Sequence, residues 1–147
     1  MYKTILVPLD GSDRAEKILP HVKRIAQCMG SKLVLLQIVE PSFVAADLHG
    51  LPPVMDTEML ESQIRKGAQY LNNLADQLTK DHIQSTVIVE TGPVVNSIWE
   101  IARKEDADLI AMTSHGRTGI ARALYGSIAA GVLHRTERPL LIIRAES

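Results

Sequence analysis

The sequence predicts an α/β fold: one doubly wound, five-stranded parallel sheet with helices on both faces. Three observations carry that prediction. Short apolar runs rich in branched residues recur at 4–9, 32–39, 83–90, 108–113 and 140–143. Between them lie stretches whose apolar residues fall at spacings of three and four, the period of an amphipathic helix. The chain has 147 residues, one domain's worth, and five strands with four helices use nearly all of it.

The first strand, Thr4 to Leu9, stops at Asp10-Gly11-Ser12, a turn signal. From Ser12 or Asp13 the pattern turns helical through Ala15, Ile18, Leu19, Val22, Ile25, Ala26 and Met29. Asp13 with Glu16 forms a capping-box pattern, and Gly30 is the stop. Pro20 lacks a backbone donor, so it should kink this helix or split it. Cys28 reads as a small residue on the helix's inner side. Lys32 to Val39 is a near-continuous apolar run, as expected of a strand covered on both faces.

Residues 40–55 carry Pro41, Gly50, Pro52 and Pro53 without a period, so a long loop is expected there. A second helix follows from about Asp56 to Lys80, with Met59, Ile64, Ala68, Leu71, Leu74, Ala75 and Leu78 on one face. The third strand, 83–90, ends at Thr91-Gly92-Pro93, and Pro93 suits the first turn of the next helix. Val94, Ile98, Ile101 and Ala102 carry that helix toward Asp106, with Trp99 beside the stripe. After the fourth strand, 108–113, comes Ser114-His115-Gly116-Arg117-Thr118-Gly119, dense in small and hydrogen-bonding residues. A short helix from Gly126-Ser127 to Arg135 and the strand Leu140 to Ile143 complete the chain.

Composition narrows the function. Sixteen basic against seventeen acidic residues leave a formal charge of -1, which gives no global field to hold nucleic acid or an anionic membrane. Only 3% of residues are aromatic, so stacking platforms for single strands are not expected. One cysteine excludes an internal disulfide and a Cys-rich zinc site. No signal-peptide core and no membrane-length apolar run occur, so a cytoplasmic protein is expected.

In a doubly wound sheet, ligands bind at the carboxyl ends of the strands where the strand order reverses. Two turns fall there: Pro8 to Ser12, and the glycine-rich segment after the fourth strand. That segment has what a phosphate cradle needs. Glycines admit a close oxyanion, amides and hydroxyls donate, Arg117 offsets charge, and the helix opening at Gly126-Ser127 presents unpaired N–H groups. The plainer alternative is a loop that turns the chain and caps a helix. Asp10 is placed either to hold a ribose hydroxyl or a phosphate-bridging metal, or simply to make an Asx-turn. His115 has no visible partner for acid–base work, and His21, His49, His82 and His134 lack metal-ligand spacing. Neither a P-loop, nor a dinucleotide glycine fingerprint, nor a hydrolase elbow occurs.

From Ile5-Leu6-Val7-Pro8-Leu9-Asp10-Gly11-Ser12 to Pro139-Leu140-Leu141-Ile142-Ile143-Arg144, the chain resembles the universal stress proteins, small Rossmann-like domains with sheet order 3-2-1-4-5. Their nucleotide-binding branch carries G-x-x-G, nine residues, then G-[ST]. Here Thr113-Ser114-His115-Gly116 is followed by Arg117 to Tyr125 and then Gly126-Ser127, so every fixed position but the first is matched. The resemblance implies that residues 1–147 form one ATP-binding domain. It places Pro8, Leu9, Asp10, Ile38, Met112 and Thr113 around adenine and ribose. Gly116, Arg117 and Gly119 follow the phosphates, and Gly126, Ser127 and Ile128 stand at the helix mouth. With aromatics so scarce, aliphatic walls such as Ile38 and Met112 must hold the base. Magnesium or manganese would arrive with the nucleotide, near Asp10. Thr113 for glycine, and Ala129 where some relatives have a hydroxyl, depart from the pattern.

The family also pairs through its last strand, which implies a homodimer, or a higher oligomer, with Leu140, Leu141, Ile142 and Ile143 at the edge. The expected function is a cytoplasmic stress or regulatory protein whose nucleotide state governs contact with a partner protein. Two alternatives stay open: an enzyme of phosphoryl chemistry, at most a slow ATPase, and a nucleotide-free adaptor.

Overall fold

The computed structural model describes residues 1–44, 52–114 and 126–145. Its elements in chain order are β1 (Thr4–Pro8), α1 (Asp13–Glu16), α2 (Leu19–Met29), β2 (Lys32–Val39), β3 (Phe43–Val44), β4 (Val54–Met55), α3 (Thr57–Lys80), β5 (Ser85–Thr91), α4 (Val94–Lys104), β6 (Leu109–Thr113), α5 (Ser127–Arg135) and β7 (Leu140–Ile143). The main sheet runs β5-β2-β1-β6-β7, every neighbour parallel. Counted among its own five strands, that is the expected order 3-2-1-4-5.

Two apolar layers enclose the sheet. Ile5, Val7, Leu9, Leu33, Leu35 and Ala111 pack against residues of α1, α2 and α3 on one face. Leu6, Val34, Leu36, Ile110 and Met112 pack against α4 and α5 on the other. The buried stretches 5–7, 33–36 and 109–112 are therefore apolar without alternation because both faces of the sheet are covered there.

Three expectations need correction. The first helix is two helices: α1 ends at Glu16 and α2 starts at Leu19, with Pro20 in its first turn, where a missing N–H costs no hydrogen bond. The cap of α1 is Ser12, not Asp13; its hydroxyl accepts from the Ala15 N–H at 3.2 Å. Cys28 is exposed. Its place follows from the face that α2 buries through Leu19, Val22 and Ala26: two residues past Ala26 is about 200° around the helix.

The stretch expected to be one long loop has structure at both ends. β3 and β4 pair antiparallel, Phe43 opposite Met55 and Val44 opposite Val54, while residues 45–51 lie outside the described residues. Asp56 caps α3 by accepting from the Met59 N–H at 3.0 Å. Gly30 ends α2 in the left-handed conformation, φ 68°, its N–H donating to the Ala26 carbonyl. The Asp108 carboxylate accepts from the Lys3 and Thr4 N–H groups, at 2.8 and 3.1 Å, and clamps the amino ends of β1 and β6 together.

Candidate functional site

The sheet order reverses at β1. The chain leaves it for β2 and β5 on one side and returns on the other as β6 and β7. The carboxyl ends of β1 and β6 therefore flank the crevice in which such sheets bind ligands.

β1 ends in an Asx-turn. Asp10 Oδ1 accepts from both the N–H and the hydroxyl of Ser12, at 2.9 and 2.6 Å. Gly11 permits this turn with φ 79°, a region open to glycine at little cost. One carboxylate oxygen of Asp10 is thus held in place at the mouth of the crevice. The turn is tied to the layer below: the Tyr70 hydroxyl of α3 donates to Glu16 Oε1 of α1 at 2.9 Å. Burial, the bond to Glu16, and the charges of Glu16, Asp10 and Asp13 together push the Tyr70 phenol well above its ordinary value. Nothing local in the sequence signals this link, because its partners are 54 residues apart.

Alternation along the strands sorts the remaining candidates by face. Met112 and Ile38 both belong to the apolar layer on the α4–α5 side, and Pro8 shares that face two residues beyond Leu6. Leu9 lies in the opposite layer and is buried, so only its backbone is offered to a ligand; its N–H donates to the Leu36 carbonyl at 2.8 Å. Thr113, two residues past Ala111 of that same opposite layer, is also buried. It pairs with Ile143 in the β6–β7 ladder. Among the described residues, the non-glycine positions with positive φ are His82 and Asp106. Thr113 therefore sits in an ordinary strand conformation that asks for no glycine.

Beyond β6, the Ser114 N–H donates to the Ile143 carbonyl at 2.8 Å, and the Gly126 N–H donates to the Ser114 carbonyl at 2.7 Å. This brings the start of α5 to the carboxyl end of β6. Gly126 is the N-cap of α5 and has no side chain to cap it. The helix thus offers the first-turn N–H groups and positive dipole end that suit an anion. Ser127 and Ile128 are exposed there, and Ala129 is buried in the core. His115, Gly116, Arg117 and Gly119 lie outside the described residues. Among the described residues, no three His, Cys, Asp or Glu side chains are grouped to hold a metal ion.

The family model for the universal stress protein family matches residues 1–144. The chain belongs to the universal stress protein family. Relatives within the family include the universal stress protein MJ0531 of Methanocaldococcus jannaschii, 31% identical over 98% of this chain and 83% of its own length. The universal stress protein MJ0577 of the same organism is 25% identical over 100% of this chain and 98% of its own. The solved structure of MJ0577 superposes with a TM-score of 0.81 at 26% identity, covering 100% of this chain and 99% of that one. Two more distant universal stress protein structures share the fold. One, in complex with cAMP, has a TM-score of 0.66 at 21% identity, covering 99% and 98% of the two chains. The other, from Arabidopsis thaliana with AMP bound, has a TM-score of 0.69 at 15% identity, covering 99% and 93%. No helix among the described residues is long and apolar enough to cross a membrane.

Proposed function

We propose that this universal stress protein binds an adenine nucleotide, ATP by preference, and acts in the cytoplasm as a homodimeric regulatory protein whose partner contacts follow nucleotide occupancy. One observation carries the reading. An apolar wall of Pro8, Ile38 and Met112 and an anion-favouring helix start at Gly126-Ser127 meet at the carboxyl ends of β1 and β6, beside the Asp10 turn. The wall suits a purine in a chain with few aromatic rings, and the helix start suits phosphates. The two nucleotide-bound relatives support the same ligand class.

In this reading the base lies against Pro8, Ile38 and Met112, the backbone of Leu9 and Thr113 borders it, and Asp10 holds the ribose. Ser127, the N–H groups of Gly126 and Ile128, and residues Gly116, Arg117 and Gly119 take the phosphates. Magnesium or manganese accompanies the nucleotide and offsets its charge near Asp10. The departure at Thr113 leaves the nucleotide reading intact, since the residue keeps ordinary strand backbone with its side chain in the core layer.

Thermal unfolding with ATP, AMP and cAMP at millimolar concentration, with and without magnesium, tests this. A ligand at a hundredfold excess over its Kd stabilises by about 2.7 kcal/mol, several degrees in Tm for a chain of this size. Absence of any shift with all three nucleotides removes the proposal. Asp10→Ala and Ser127→Ala should each shrink the shift while leaving the ligand-free protein folded.

A further inference from the structure

At the opposite end of the sheet, α4, α5 and the turn into β7 enclose a groove of about 600 Å³ lined by Trp99, Arg103, Arg135, Thr136, Glu137 and Arg138. The connectivity puts it there. In a parallel sheet each crossover helix runs back against the strands, so α4 and α5 end at the strands' amino ends, away from Asp10 and Gly126. Three guanidinium groups face one carboxylate in this lining, within a chain of net charge -1. Positive charge is concentrated locally.

The indole of Trp99 organises that charge. The guanidinium carbon of Arg103 lies 4.8 Å from the ring centroid, and that of Arg135 lies 5.3 Å from it. Cation–π attraction holds both groups to one ring. A stacked guanidinium still presents its N–H donors around its edge. Arg135 gives one of them to Asn96 Oδ1. Arg138 donates to the Ala107 carbonyl and lies 3.8 Å from the Asp106 carboxylate. Among the described residues, neither Arg103 nor Arg135 has a carboxylate within ion-pair distance. Favourable dipole ends account for basic residues in the last turns of α4 and α5. Cation–π attraction gathers the two like charges on one ring, and an anion set between them would relieve their mutual repulsion.

We propose that this groove docks an acidic peptide segment of a partner protein, with Arg103 and Arg135 gripping its carboxylates from Trp99. Guanidinium forks match carboxylates in pairs and hold them with charge-assisted bonds. The Trp99 ring already carries two arginines, with which a nucleobase would have to compete for the ring. Glu137, on the exposed rim, repels a continuous polyanion such as nucleic acid or an anionic membrane, and favours spaced carboxylates. The assignment stands apart from the nucleotide reading, since none of its residues belongs to that site.

Trp99 is the only tryptophan in the chain, so its fluorescence reports the groove directly. The probe is a capped eight-residue peptide alternating Glu and Ser, with a Gln and Ser counterpart and inorganic phosphate as comparisons. The Glu peptide should produce a saturable change in Trp99 emission that weakens as salt rises from about 50 to 300 mM. The double variant Arg103→Gln, Arg135→Gln should bind at least roughly tenfold more weakly; both side chains are exposed, and circular dichroism checks its fold. The proposal is overturned by no saturable response at millimolar Glu peptide, by an equal response to the Gln peptide, or by undiminished binding in the variant. Saturation by phosphate with none by the Glu peptide would show a small-anion site and overturn it equally. An emission change on dilution that tracks subunit dissociation in sedimentation would make a second copy the occupant, and would overturn it as well.

Discussion

Ser12 has two roles at the end of β1. Its N–H and hydroxyl donate to Asp10, and its oxygen also accepts from Ala15 to start α1. Ser12→Ala should therefore cost about 1 kcal/mol, seen as a lower urea midpoint with unchanged slope. Asp10→Asn, which keeps an acceptor oxygen, should unfold near wild type, so any loss of nucleotide affinity in it would report the missing charge. Tyr70 supplies a pH test. Its folded-state ionisation is shifted above the ordinary tyrosine range by burial first and by Glu16 second. The folded state thus holds the proton longer than the unfolded state does, and its stability contribution is complete below pH ~10 and is lost as pH rises beyond it. Chemical denaturation from pH 9 to 11 should show stability falling with pH, and Tyr70→Phe should flatten the fall. A slope unchanged by that substitution would place its source elsewhere. At this scale the Asx-turn was readable, because Asp-Gly-Ser specifies it locally. The Tyr70–Glu16 bond was not, since only folding brings α3 onto α1.

Helices and strands were readable to the extent that local pattern sets them. β2 and β7 lie where their apolar runs put them, and Pro20 marks the break between α1 and α2 because a proline within a helix leaves few other outcomes. The β3–β4 pairing escaped the pattern. Its strands are two residues long and apolar yet exposed, so neither a burial period nor a close turn marks them. Contacts between elements are a further matter. A Cβ built on Gly131 of α5 would lie 2.8 Å from Val95 Cγ2 of α4, a distance that forces one helix to move. Valine is stiff at χ1 and cannot swing aside cheaply. Gly131→Ala should thus destabilise by about 1–3 kcal/mol from overpacking, less up to about 1 kcal/mol recovered from helix propensity. Adding Val95→Ala should restore part of the loss. Thermal unfolding of the two single variants and the double variant would show this as a non-additive cycle; simple additivity would place the strain outside the α4–α5 contact.

Across the whole molecule, α5 joins the two ends of the sheet. It begins at the candidate nucleotide crevice and ends at the arginine groove. The remaining feature at this scale is the open edge. β7 has β6 on one side only, and its four residues, all apolar, are only partly buried. The ladder fixes which backbone groups are left over. The Ile110 N–H donates to the Pro139 carbonyl and the Ser114 N–H to the Ile143 carbonyl, so the odd-numbered residues face β6. Leu140 and Ile142 then direct their N–H and C=O groups outward, where a second β7 in antiparallel register would satisfy them. The other edge, β5, mixes Ser85, Thr86, Glu90 and Thr91 among its apolar residues and is less suited to a dry interface. Ile142→Pro separates pairing from folding. The substitution removes an outward donor that the chain's own ladder does not use, a position at which an edge strand tolerates proline. Under the proposed homodimer, the wild type should sediment as a dimer, and the variant should keep its circular dichroism and sediment as a monomer. A folded variant that still sediments as a dimer would move the interface away from β7.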